Sequence, residues 1–229
     1  MLLSLLQISI QDATNQTVSD VAQEISLWDM ATKGGWIMLI LAALSFVAVY
    51  IFIDRFLAIR NAGKEDANFM NRIKDYIHEG KIDSAQALCQ SANNPVARMI
   101  EKGISRIGRP LSDINTSVEN VGNIEISKLE QGLTILATVA GGAPMVGFLG
   151  TVIGMIDAFY KMSLAGNNIN VTALSGGIYV AMVTTVGGLV VGIFSYFAYN
   201  YLVTRVHEVV NKLEMRTTEF MDLLNEPAS

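Results

Sequence analysis

The chain has 229 residues, half of them hydrophobic and 16% charged, with a net charge of −5. That balance is high for a soluble domain and ordinary for a membrane protein with an aqueous part, and the acidic sign argues against a nucleic-acid partner, which calls for a basic patch. A single cysteine, Cys89, excludes an intrachain disulfide and a cysteine-based metal site within one chain; a buried small residue is the expectation for it.

Residues 1–35 open with the apolar MLLSLLQISI, which lacks a basic leader region. The expectation is a short amphipathic helix at the outer membrane face, with processing left open, and Trp28 and Trp36 placed at the interface. A first membrane span is expected over 36–59, built on WIMLILAALSFVAVYIFI. It meets the ~20-residue length of a spanning helix.

Residues 60–132 read as a helical domain. Phe69, Ile73 and Ile77 share one face, and Gly80 can end their helix. Ile82, Ala85 and Cys89 line a second helix. Asn94-Pro95 starts a third, as asparagine caps and proline suits the first helical position. Val96, Met99, Ile100, Ile104 and Ile107 form its buried side, and Gly108-Arg109-Pro110 breaks the chain. From there Leu111, Ile114, Val118 and Val121 keep helical spacing, and one unbroken helix is expected to run on into a second span at 133–160.

A polar turn at 161–173 links this span to a third at 174–204, so the two form an antiparallel hairpin. The third helix continues into the tail, 205–229, where Val206, Val210, Leu213, Thr217, Phe220 and Leu224 make a coiled-coil-like seam. Either the helices of 60–132 or copies of the same chain must cover it. Lysine and arginine crowd 54–131 and return after 204. The middle domain and tail are therefore expected in the cytoplasm, and the N-terminus and hairpin turn outside it.

The second and third spans carry stripes of small residues. Gly147, Gly150, Gly154 and Ala158 lie on one; Gly177, Ala181, Gly188 and Gly192 lie on the other. Helices in lipid associate where such residues let backbones approach. The first span, rich in Leu, Ile, Val and Phe, is expected to face lipid. The stripes also bear the hydroxyls Thr151, Thr184 and Thr185. These either bond the carbonyl one turn back or line a path for an ion or another helix. Asp157 sits toward the outer end of its span, leaving no ionisable group near mid-membrane; a proton carrier there needs one, so a partner helix would have to bring it. GGAPMVGFLG lacks the lysine of a phosphate-binding loop and follows no strand. No catalytic constellation and no cofactor or metal site is evident, and no enzyme activity is expected.

APMVGFLGTVIGMIDAF (143–159) and GGIYVAMVTTVGGLVVGIFSYFAYNYL (176–202) resemble the signature and third span of the ExbB/TolQ/MotA family of membrane ion channels, most like its ExbB branch. LWDMATKGGWIMLILAALSFVAVYIFIDRFLAI resembles that branch's first span. The resemblance implies an all-α protein of a bacterial inner membrane: three transmembrane helices, two of them long and extending into the cytoplasm, and a helical cytoplasmic domain. It implies a homopentameric ring whose second and third helices line a proton channel. It also implies a dimer of a single-span ExbD-like partner carrying a membrane aspartate, and a TonB-like protein energised for outer-membrane transport. The family's pore threonines fall on Thr151 and Thr185, facing that aspartate; Thr184 adds a hydroxyl where many relatives have alanine. Val180 stands where many have glutamate, which leaves proton against sodium open. A TolQ-like or motility-stator role and a passive membrane scaffold are the alternatives.

Overall fold

A computed structural model describes residues 34–64, 66, 68–164 and 171–225, with backbone alone at 171–173. The expected N-terminal helix and most of the hairpin turn lie outside the described residues. Every regular element among those described is helical: α1 (Gly35–Ala62), α2 (Phe69–His78), α3 (Ile82–Ala92), α4 (Pro95–Ile104), α5 (Leu111–Glu130), α6 (Leu133–Leu164) and α7 (Val171–Asn225). α1, α6 and α7 each contain a stretch long and apolar enough to cross a membrane. The chain is thus an all-α, multi-pass membrane protein. It divides into two compact units, one of Met1–Ile40 with Gly147–Gly187, the other of Leu41–Val146 with Gly188–Ser229.

The larger unit holds the short helices. α2 packs on α3, α3 on α4 and α4 on α5. Their boundaries follow local chemistry. Gly80 adopts φ +71° after α2, a conformation glycine takes without steric cost. Asn94 caps α4, its Oδ1 accepting from the Ala97 N–H at 2.7 Å, with Pro95 at the first helical position. Gly108 at φ +93° separates α4 from α5. Phe69, Ile73, Ala85, Cys89, Val96, Met99, Ile100 and Ile104 are buried, as their helical spacing requires; Ile107 lies beyond the end of α4 and is exposed. Burial pushes the Cys89 thiol up to about 12, with the Glu101 charge adding to the effect.

Two details differ from the sequence reading. The helix expected to run unbroken from the aqueous domain into the second span is interrupted at Gln131-Gly132. Gln131 leaves the helical region at ψ 129°, and Gly132 takes φ +84°. The tail seam is shifted by one residue in two places. Val206, Val209, Leu213, Phe220 and Leu223 are buried, while Val210, Thr217 and Leu224 are half-buried. The helices of the middle domain cover part of it: a Cβ at Gly103 of α4 would lie 2.3 Å from Phe220 Cε1 and 3.0 Å from Val118 Cγ2.

Candidate ion-pathway site

In the smaller unit, α6 and α7 approach as closely as their small residues allow. A Cβ at Gly150 would meet Thr184 Oγ1 at 2.4 Å, one at Gly154 would meet the Ala181 Cβ at 3.0 Å, and one at Gly177 would meet the Ala158 Cβ at 2.7 Å. The partner numbers fall on one helix as they rise on the other, which defines an antiparallel register. Backbone is near too: the hypothetical Cβ atoms at 154 and 177 lie 3.1 Å and 3.2 Å from the carbonyl oxygens of Gly177 and Gly154. Gly147, Gly150, Gly154 and Ala181 are buried, and Gly177 is half-buried.

The larger unit contains a comparable contact. A Cβ at Gly192 would lie 2.5 Å from Pro144 Cγ, so the proline ring occupies the space a side chain would need. Gly188 is buried there as well, and buried Ser195 donates to the Val191 carbonyl at 2.8 Å.

The three threonines divide. Thr151 is half-buried and its hydroxyl donates to the Phe148 carbonyl at 2.5 Å. Thr185 is also half-buried, and its hydroxyl reaches across the hairpin to the Gly147 carbonyl at 3.3 Å. Thr184 is fully buried, donates to the Ala181 carbonyl at 2.8 Å and fills the gap over Gly150. Its side chain is thus turned into the α6–α7 seam. Neighbouring helical residues point about 100° apart, so with Thr184 turned into the seam, Thr185 is left at its edge.

Around the seam the surface is apolar. Phe148, Val152, Ile156 and Phe159 of α6 and Met182 and Val186 of α7 are exposed. In the larger unit, Phe46 and Tyr50 of α1 are exposed too, with Phe46 at 75%. Between Glu130 and Arg205 the sequence contains two charges, Asp157 and Lys161. They pair with each other one turn apart, Nζ to Oδ2, at 2.6 Å. Along this seam Thr151 and Thr185 each donate their proton within the chain and keep acceptor lone pairs for a neighbour.

The description of one protein family, the MotA/TolQ/ExbB proton channel family, matches residues 91–215, more than half of the chain. The chain belongs to the MotA/TolQ/ExbB proton channel family. Among its relatives is a putative biopolymer transport protein ExbB homolog of Methanothermobacter thermautotrophicus, 28% identical over 82% of this chain and 66% of that protein. The biopolymer transport protein ExbB of Aquifex aeolicus is 41% identical over 44% of this chain and 70% of its own length. The Tol-Pal system protein TolQ of Haemophilus influenzae is 28% identical over 84% of this chain and 89% of that protein. The MotA/TolQ/ExbB match takes in the α6–α7 seam and both half-buried threonines.

Off the seam, a charged cluster lies just before α6, and the sequence reading missed it. Glu125, almost wholly buried, accepts from Arg98 and from Lys128 Nζ, the latter at 2.7 Å. Burial alone would raise its carboxyl, but the hydrogen bonds and charges of Arg98 and Lys128 outweigh that and hold it below its ordinary value. Arg98 also donates to the backbone and side-chain oxygens of Asn93, and Arg55 of α1 donates to the Lys128 carbonyl at 3.0 Å. Its sequence signal was an acid at a buried helical position, in step with Val118, Gly122 and Leu129.

Proposed function

We propose that this chain is the channel subunit of a proton-driven, energy-transducing complex of ExbB type in a bacterial inner membrane. The observation that carries the reading is the hydroxyl pair Thr151 and Thr185, half-exposed on a hairpin whose only charges neutralise each other. A proton cannot rest at mid-membrane without a titratable group, and these spans hold none there. In this reading the carboxyl group comes on the helix of a single-span, ExbD-like partner. Five copies of the chain form a ring, α6 and α7 line its channel, and a partner dimer stands inside. The N-terminus lies in the periplasm and the C-terminus in the cytoplasm, following the placement of lysine and arginine.

The hydroxyl geometry gives the channel a preference. With their protons committed to the Phe148 and Gly147 carbonyls, Thr151 and Thr185 can accept a hydrogen bond from a protonated carboxylic acid. To hold the carboxylate they must rotate and donate. Protonation and release on the partner thus exchange one hydrogen-bond pattern for another, and that exchange can turn the partner relative to the ring. The motion energises a TonB-like protein and, through it, outer-membrane transport.

A TolQ-type role in envelope maintenance is the second reading, favoured by the near full-length overlap with the TolQ relative. The test is proton flux into vesicles holding the chain together with its single-span partner. T151V and T185V are expected to abolish flux while the complex still assembles. Unchanged flux in both variants would overturn the role of the hydroxyls.

A further inference from the structure

We propose that a groove between the end of α1 and the middle of α7 holds the phosphodiester headgroup of an anionic phospholipid. The groove encloses about 400 Å³. It lies where both helices stop being membrane-like. The uncharged run of α1 ends at Asp54-Arg55, and that of α7 ends at Arg205. Phe56, Arg60 and Lys64 follow one another at four-residue spacing along one wall, and Tyr201 and Arg205 do so along the other. Each wall therefore passes from an aromatic ring to a cation in one helical turn. That is the order of a bilayer boundary, with aromatic rings at headgroup level and basic groups just beyond.

The cations are not balanced within the groove. Arg205 is held in place: its Nε donates to the Tyr201 hydroxyl at 3.2 Å, its Cζ sits 5.3 Å from that ring's centroid, and it pairs with Glu208 at 2.7 Å. Among the described residues the Lys64 ammonium donates only to the neutral Asn61 amide oxygen, at 3.2 Å. Arg60 makes no side-chain hydrogen bond or ion pair among the described residues. Among the described residues lining the groove, Glu208 is the single acid against three cations.

A monoanionic phosphodiester supplies anionic oxygens to Arg60 and Lys64, neither of which pairs with an acid among the described residues. The rings of Phe56 and Tyr201, stacked with centroids 6.2 Å apart, and the buried side chains of Ile59 and Leu202 give an apolar wall for the glycerol and the first acyl methylenes. A free phosphate ion would leave that wall uncovered, which is why the lipid is the occupant assigned. Basic pockets between membrane helices recognise headgroups on these terms. The proposal rests only on α1 and α7 crossing a membrane, and it stands or falls separately from proton flow through the seam.

Native mass spectrometry of the full chain in detergent, with phosphatidylglycerol or phosphatidylcholine added, tests it. One phosphatidylglycerol per subunit is expected to survive into the gas phase, and phosphatidylcholine is not. Each basic group at a charged membrane surface is worth about fivefold in binding, so R60Q/K64Q is expected to lower retention on the order of twentyfold. R60K/K64R is expected to preserve it, and so is R106Q/R109Q, which removes the same charge elsewhere. Millimolar inorganic phosphate is expected not to displace the lipid. Wild-type retention by a folded R60Q/K64Q, equal retention of the two lipids, an equal loss in R106Q/R109Q, or displacement by inorganic phosphate would each overturn the assignment.

Discussion

Thr184 stands directly over Gly150, with its hydroxyl oxygen 2.4 Å and its Cβ 2.6 Å from where a side chain at position 150 would begin. The hydroxyl has no room to retreat, because it is fully buried and already bonded to the Ala181 carbonyl. At this point of the α6–α7 seam, one glycine and one threonine leave no space for a larger side chain at position 150.

From this follows the outcome for G150A. Overpacking a well-filled contact costs about 1–3 kcal/mol, and the hairpin has to open to admit the methyl group. A lower melting temperature in detergent is expected. T184G, which removes the facing Cβ, is expected to return most of the loss when combined with G150A. T184S leaves that Cβ in place and is expected to rescue little. Independent, additive effects of G150A and T184G would contradict the contact.

The two half-buried threonines separate stability from function. The hydrogen bond from Thr185 to the Gly147 carbonyl is long at 3.3 Å, and bonds between membrane helices contribute about 0.6 kcal/mol on average. T185V is therefore expected to shift thermal stability by less than about 1 kcal/mol, while removing energised transport in cells. T185S, which keeps the hydroxyl, is expected to retain transport. Transport lost in T185S as in T185V would point to a packing role for the residue instead.

Much of this was legible in the residues. Three- and four-residue spacing of glycine and alanine marks a close helix seam whichever way the chain turns, and Asn94-Pro95 declares a helix start by chemistry alone. The facing of Thr184 and Thr185 was not legible. Both lie within one helical turn of the same small residues, and only the rotation of α7 against Gly150 decides which one enters the seam. At the tail, likewise, the spacing alone did not decide that Val209 and Leu223 are buried rather than Val210 and Leu224. Glu125 escaped notice because a buried acid reads as solvated until its cations, one of them 27 residues away in Arg98, are brought beside it.

The interruption between α5 and α6 gives a third expected outcome. Gly132 holds φ +84°, while the nearest atom to a Cβ there, Ile51 Cγ2, is at an ordinary 3.5 Å. The cost of a side chain is therefore conformational, not steric crowding by neighbours. For an L-residue in the left-handed region it is about 1–2 kcal/mol. G132A is expected to lower stability by that amount. G132N, whose side chain tolerates this conformation better, is expected to lower it less. Equal losses in a thermal melt would argue that the backbone at 132 is free to change.

The last expectation concerns acid. Arg98 and Lys128 hold the Glu125 carboxyl below its ordinary value despite its burial. The unfolded chain, with an ordinary glutamate near 4.3, then takes up a proton before the folded one does. Glu125 contributes its full stability above that pH and loses it as the pH falls through the depressed folded value. E125Q removes the charge that Arg98 and Lys128 share, at a cost of about 1–3 kcal/mol for a buried charged hydrogen bond. Both cations are partly exposed, at 37% and 61%, and water takes up some of the loss. Melting curves recorded from pH 7 down to about 3 should show E125Q less stable at neutral pH and less sensitive to acid than the wild type. The two curves should converge at the acid end, because protonating the wild-type carboxyl removes the same charge. Parallel curves across that range would mean that Glu125 carries no linked proton, and the ion cluster before α6 would then have to be explained by packing alone.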